Sequence, residues 1–252
     1  TLVGEADITH EAGVAFVDPG AVWADGPDAN GTLLGQGILE SDTPGIYSLT
    51  YDVEDEAGNQ ANTILRTITV QDTTAPLLSL IGETLVTVEV GEAYQDQGAL
   101  WTDFIDGNGT LYAVESVNEN LPGVYRLNYQ KMDASGNLST TLTRTVTVMD
   151  RTPPSLFLVG DANVTMEAGE AYSDPGALWT DVVDGNGTLF ALESVNENVP
   201  GVYRLNYDKT DSAGNLATTL IRTVTVRDGT PPSLLLVGNA NQTMEAGESY
   251  VD

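Results

Sequence analysis

Residues 201–226 read GVYRLNYDKTDSAGNLATTLIRTVTV. Val202, Arg204 and Asn206 alternate with Tyr203, Leu205 and Tyr207, the period-two pattern of a strand with one buried face. The run TLIRTVTV that follows is rich in β-branched residues, and Gly214-Asn215 between the two runs is a turn that closes a hairpin. Nothing in this stretch, or elsewhere in the chain, shows a capped apolar stripe at the helical period of about 3.6 residues.

The same stretch stands at 123–148 as GVYRLNYQKMDASGNLSTTLTRTVTV and at 45–70 as GIYSLTYDVEDEAGNQANTILRTITV. Trp23, Trp101 and Trp179 repeat at an interval of 78 residues, as do Gly4, Gly82, Gly160 and Gly238, with no insertions. Residues 77–154 and 155–232 are identical at 55 of 78 positions, so agreement between those two reflects recent duplication. The first copy has drifted further, reading ADGPDANGTL where the third reads TDVVDGNGTL, and what it retains is the better clue.

A period of this length is too long for a solenoid turn and suits a small domain. Short runs such as SLFLVG and NVTMEAGEAY, with turn signals roughly every ten residues, predict an all-β fold. The expected architecture is a series of tandem immunoglobulin-like antiparallel β-sandwiches: repeat 1 over 1–72, repeat 2 over 73–150, repeat 3 over 151–228, and the start of a fourth over 229–252. The linkers VQDTTAP, VMDRTPP and VRDGTPP carry proline, which fixes φ and holds its predecessor extended, so the expected assembly is an extended rod. Starting at Thr1 inside one repeat and stopping early in another, the chain reads as a piece of something longer.

Composition excludes several classes. Asp and Glu number 37 against 9 Lys and Arg, a net charge of -28, which repels nucleic acid and anionic membranes and attracts cations. There is no Cys, hence no disulfide frame, thiolate zinc site or cysteine nucleophile, and the single His10 cannot be a repeated element. No stretch reaches the ~18 apolar residues of a membrane-crossing helix. Hydrophobic residues at 41% are nevertheless enough for packed cores, which without cysteine must rest on Trp, Tyr, Val and Leu.

The order GEAYSDPGA, D-x-x-D-G, PGVYRLNY, TDSAGN, RTVTV and D-x-TPP resembles the bacterial Ig-like repeat found in tandem in secreted and surface proteins. It is similar to the Ig-like domain of pesticidal crystal proteins and to hyalin-type repeats. The resemblance spans the whole chain and implies an extracellular or cell-surface location. For function it says less, because such repeats serve as spacers and adhesive modules beside many effectors.

Two acidic groups are candidate metal ligands. The loop D-x-x-D-G-N-G gives Asp25, Asp28 and Asn30, then Asp103, Asp106 and Asn108, then Asp181, Asp184 and Asn186. Calcium takes six to eight oxygens, and a Gly-rich turn lets several converge, although three side chains per copy are too few alone. The competing reading is a tight turn built by Asp and Asn. In the hairpin loop, Asp133 is expected near the linker residue Asp72, and Asp211 near Asp150. Carboxylates converging at a junction repel unless a cation lies between them, so the reading is Ca²⁺ stiffening the joint as in cadherin-like arrays; an Asx turn is the alternative. Arg66, Arg144 and Arg222 lie in phase with inward-facing Val and require a carboxylate partner. Trp23, Trp101 and Trp179 read as core residues, or else as exposed platforms for stacking sugars.

No catalytic set, phosphate loop or zinc motif is present, and the chain reads as a non-enzyme. The expected function is the stalk of an adhesin or the body of an extracellular filament, with further copies of the repeat as partners. The alternatives are an adhesive module recognising polysaccharide or a receptor, and an ancillary array of a secreted hydrolase.

Overall fold

The structure is a computed structural model describing residues 1–26 and 29–251, at Ala29 for the backbone alone. Repeat 1 contains β1 (Asp7–Glu11), β2 (Ala21–Asp25), β3 (Ala29–Leu33), β4 (Gly45–Tyr51) and β5 (Ile64–Gln71). Repeat 2 contains β6 (Leu77–Leu80), β7 (Leu85–Glu89), β8 (Ala99–Asp103), β9 (Gly107–Leu111), β10 (Gly123–Tyr129) and β11 (Leu142–Met149). The same six return in repeat 3 as β12 (Ser155–Leu158), β13 (Asn163–Glu167), β14 (Ala177–Asp181), β15 (Gly185–Leu189), β16 (Gly201–Tyr207) and β17 (Leu220–Arg227). No helix forms among the described residues.

Each of repeats 2 and 3 is two three-stranded sheets, ordered β6-β8-β9 with β10-β11-β7, and β12-β14-β15 with β13-β17-β16. The alternating run at 201–226 is the antiparallel hairpin β16–β17, with Tyr203 opposite Val224 and Leu205 opposite Arg222. The expected immunoglobulin-like sandwich is present, with one difference in strand direction. β7 runs parallel to β11, β1 to β5 and β13 to β17, where a wholly antiparallel arrangement was expected. Alternation reveals which residues share a face; it carries no information about strand direction.

The core lies between the sheets. In repeat 2, Val88 of β7, Ala99 of β8, Leu127 and Tyr129 of β10 and Val146 of β11 are buried together, with Leu78, Leu80 and Leu111 packed against them. Repeat 3 repeats this with Met166, Ala177, Leu205, Tyr207, Val224 and Val226. Sealing one such aliphatic or aromatic side chain contributes about 1.5–3 kcal/mol.

The tryptophans depart from the core role expected of them: Trp23, Trp101 and Trp179 are half-buried. Ala99 and Ala177 hold the sealed position at the start of the strand, and Trp101 pairs across the sheet with Gly109. A Cβ at Gly109 would lie 2.8 Å from the indole Nε1, so glycine is what lets the ring lie against β9. Lys131 places its Nζ 4.7 Å from the Trp101 ring centroid and Lys209 lies 4.4 Å from that of Trp179, an arrangement that favours the cation. In repeat 1, Val53 stands at the lysine position.

By its internal contacts the chain divides into two compact units, Thr1–Asp150 and Arg151–Asp252. Within the first unit, repeat 2 touches repeat 1 through the tip of the β8–β9 hairpin. Ile105 packs against the repeat 1 core of Ala12, Leu49, Tyr51, Ile68 and Val70. The Phe104 ring covers Gly13, where an added Cβ would meet it at 2.6 Å.

Candidate functional site

Asp72 follows β5 in the first linker, Asp103 is the last residue of β8, and Asp133 opens the turn after β10. Folding of the first unit brings them together, with one carboxylate oxygen of each within 4.8 Å of the others. Asp72 and Asp133 are buried, at 9% and 7% exposure. The cluster therefore takes one residue from the D-x-x-D loop and two from the linker and hairpin group, which the sequence had presented separately.

Local hydrogen bonds fix each carboxylate. Asp133 Oδ1 accepts the Asn137 N–H at 2.7 Å and its Oδ2 the Asn137 side-chain amide at 2.8 Å, an Asx-type turn. Burial works to raise the Asp133 carboxyl, but the bonds from Asn137, with the backbone N–H groups of Gly136 and Ser135, outweigh it and hold it below its ordinary value. The Asn137 amide also donates to the Asp72 backbone carbonyl at 3.2 Å, tying the linker to the loop. Asp103 Oδ1 accepts the N–H groups of Ile105 and Asp106, both at 2.8 Å, and shapes the hairpin tip. Asp72 Oδ1 accepts the Thr74 N–H at 3.1 Å. The remaining oxygens, Asp72 Oδ2 and Asp103 Oδ2, are buried without a hydrogen-bond partner.

The other candidates lie elsewhere. Asp106 Oδ2 accepts the Ala134 N–H at 2.6 Å, clamping the β8–β9 hairpin to the Asp133 turn. Asn108 is exposed on β9, opposite Thr102, and does not join the carboxylates. In the second unit Asp181 Oδ1 caps Val183 and Asp184, and Asp184 accepts both the N–H and the hydroxyl of Ser212 at 2.6 Å. Asp211 accepts two bonds from Asn215, and Asn186 is exposed on β15. Asp150 is buried at the end of the first unit. In repeat 1, Asp55 is held by Asn59 as Asp133 is by Asn137, Asn30 is exposed on β3, and Asp28 lies outside the described residues.

Asp25, Asp55 and Trp23 line a cavity of about 730 Å³ in repeat 1, beside Thr1. In repeat 2, Leu78 pairs with Trp101 across the sheet and the Lys131 Nζ lies over the Trp101 ring.

Sequence reasoning assigned the arginines a carboxylate without naming it. Arg66, Arg144 and Arg222 pair with Asp18, Asp96 and Asp174. Each of these carboxylates also accepts a tyrosine hydroxyl at 2.6 Å, from Tyr51, Tyr129 and Tyr207. Each guanidinium further donates to the turn that leads into β1, β7 or β13, for example Arg144 to the carbonyl oxygens of Glu83 and Ile81. Burial pushes the Asp18, Asp96 and Asp174 carboxyls up, but tyrosine and backbone donors and the arginine more than offset it, leaving all three below the ordinary value. The missed signal was the aspartate that ends GVAFVD in repeat 1, GEAYQD in repeat 2 and GEAYSD in repeat 3, 48 residues before each arginine.

Sheet pairing, a repeated core and a repeated Arg–Asp–Tyr lock define a tandem Ig-like repeat protein. The family described as bacterial surface protein, Ig-like domain, matches residues 1–70, 78–148 and 156–226, and the chain belongs to it. The chain is similar to hyalin of Lytechinus variegatus, 30% identical over 217 residues, covering 79% of this chain and 40% of hyalin. It is also similar to an uncharacterised 81.3 kDa protein of Acholeplasma phage L2, 28% identical over 220 residues, covering 79% of this chain and 28% of the phage protein. The chain thus spans less than half the length of these relatives. A solved structure of the M60 catalytic domain with the CBM51-1 and CBM51-2 domains of Clostridium perfringens ZmpB aligns over 73% of this chain and 26% of that one. At 17% identity and a TM-score of 0.25, that alignment supports no conclusion about this chain.

Proposed function

We infer that this segment is a non-catalytic spacer of a secreted or cell-surface protein, the stalk of an adhesin or the body of an extracellular filament. The observation that carries this reading is where the charged side chains are committed. In every repeat an arginine sealed from solvent is locked to an aspartate and backbone carbonyls against a tyrosine ring, so it holds strands together rather than facing a substrate. Membership of a surface-protein repeat family supports the location. The high negative charge supports mutual repulsion between neighbouring copies.

The adhesive alternative, recognition of polysaccharide or of a receptor, is separated by direct binding. The full 252-residue chain applied to a glycan array and to immobilised cell-surface extract is expected to give background signal only. Retention on one glycan class, abolished by Trp101→Ala together with Trp179→Ala, contradicts the spacer reading and supports the adhesive one.

A further inference from the structure

We propose that Asp72, Asp103 and Asp133 bind a calcium ion at the joint between repeats 1 and 2, giving the spacer reading, on which the purpose of the site rests, a ligand-controlled stiffness. Three carboxylates from three chain segments offer oxygens within 4.8 Å of one another. Their local donors are already used by one oxygen of Asp72, one of Asp103 and both of Asp133. What remains is Asp72 Oδ2 and Asp103 Oδ2, buried with no donor, the former on a side chain more than nine-tenths buried. No lysine or arginine pairs with any of the three among the described residues. Ionised carboxylates this close repel strongly, and the chemistry that reconciles them is a cation accepting all three.

The donor set selects the ion. All three ligands are hard oxygens, while the chain has no Cys and its single His10 lies on β1, which excludes the softer N/S-binding metals. Magnesium keeps most of its water in a strict octahedron and takes one or two carboxylates. Calcium accepts six to eight oxygens in irregular geometry, which three loop carboxylates and water supply.

Position gives the consequence. Asp72 lies in the linker, Asp133 holds the turn that grips the Asp72 carbonyl through Asn137, and Asp103 shapes the tip that carries Ile105 onto the repeat 1 core. One ion here fixes linker, turn and tip together. The 78-residue period places Asp150, Asp181 and Asp211 at the matching sequence positions, so the chain carries the same trio of residues twice.

The test uses the whole chain and calcium chloride alone. Calorimetry is expected to show calcium uptake whose stoichiometry falls by one site in Asp103→Asn. The melting temperature is expected to rise on the order of 10 °C at a calcium concentration about 100-fold above Kd, well beyond the smaller rise that sodium chloride gives at matched ionic strength by screening. Asp72→Asn supplies a sign test: without calcium it should melt at or above the wild type, because it removes one of three repelling charges, and with calcium below it. Absence of calorimetric uptake at millimolar calcium, an equal rise with sodium, or an Asp72→Asn deficit unchanged by calcium each overturns the site. Those results leave the spacer reading standing. Glycan retention removes that reading while calcium uptake remains measurable.

Discussion

The arginine within each sandwich is the residue on which stability turns. Arg222 is sealed, and its charge is tolerated because Asp174, Tyr207 and the carbonyls of Val159, Asp161 and Gly176 surround it. Removing its partner leaves a buried charge unmatched, so Asp174→Ala is expected to cost about 3–5 kcal/mol in urea unfolding of repeat 3. Tyr207→Phe, which removes one hydroxyl from the carboxylate, should cost about 1–2 kcal/mol. The pH dependence follows from the same groups. A carboxyl held below its ordinary value stabilises the fold above about pH 3.9, and that contribution is lost as pH falls through the native-state value. Tyrosine acts in the opposite sense. Tyr51 is pushed up to about 12, chiefly by burial and its bond to Asp18, so its contribution is intact below about pH 10 and declines as pH rises toward 12. Urea midpoints should therefore fall at both extremes, and Tyr51→Phe should remove the alkaline loss that arises in repeat 1. Sequence phase with Val224 revealed that Arg222 faces inward, but a partner 48 residues away left no local mark.

At the scale of elements, the hairpin tip of β8 and β9 is the informative piece. It carries Asp103, Phe104, Ile105 and Asp106 in succession, and each serves a different part of the joint. Asp103 enters the carboxylate cluster, Phe104 covers Gly13, Ile105 reaches the repeat 1 core and Asp106 clamps Ala134. The sequence marked this loop as special through D-x-x-D-G-N-G but could not divide those roles, because adjacent positions in a turn point in directions set by tertiary packing. Gly13 and Gly169 both hold positive φ, 82° and 89°, and only Gly13 faces an aromatic ring within 4 Å. Each change to Ala should cost about 1 kcal/mol through backbone strain. Gly13→Ala should cost more than Gly169→Ala in thermal unfolding, because it also displaces Phe104; equal losses would mean that the Phe104 cover contributes nothing. Strand existence was legible from alternation and β-branched runs. The parallel course of β7 beside β11 was not, since it depends on how the chain crosses between sheets.

For the whole molecule, the period was legible because no insertion interrupts it, and the family match falls on the same three stretches. A net charge of -28 opposes compaction over distances set by salt, with a Debye length of ~30 Å at 0.01 M and ~8 Å at 0.15 M. Melting temperature should rise between those two sodium chloride concentrations and level off above them. A spacer of this kind requires each repeat to be a separately closed β-sandwich that bears load. Pulling the chain from its two ends in a single-molecule force experiment tests this most directly. Three unfolding events are expected, each releasing the length of one 78-residue repeat, roughly 260–280 Å of extended chain less its folded span. One event releasing the whole chain, or extension without resistance, would contradict it.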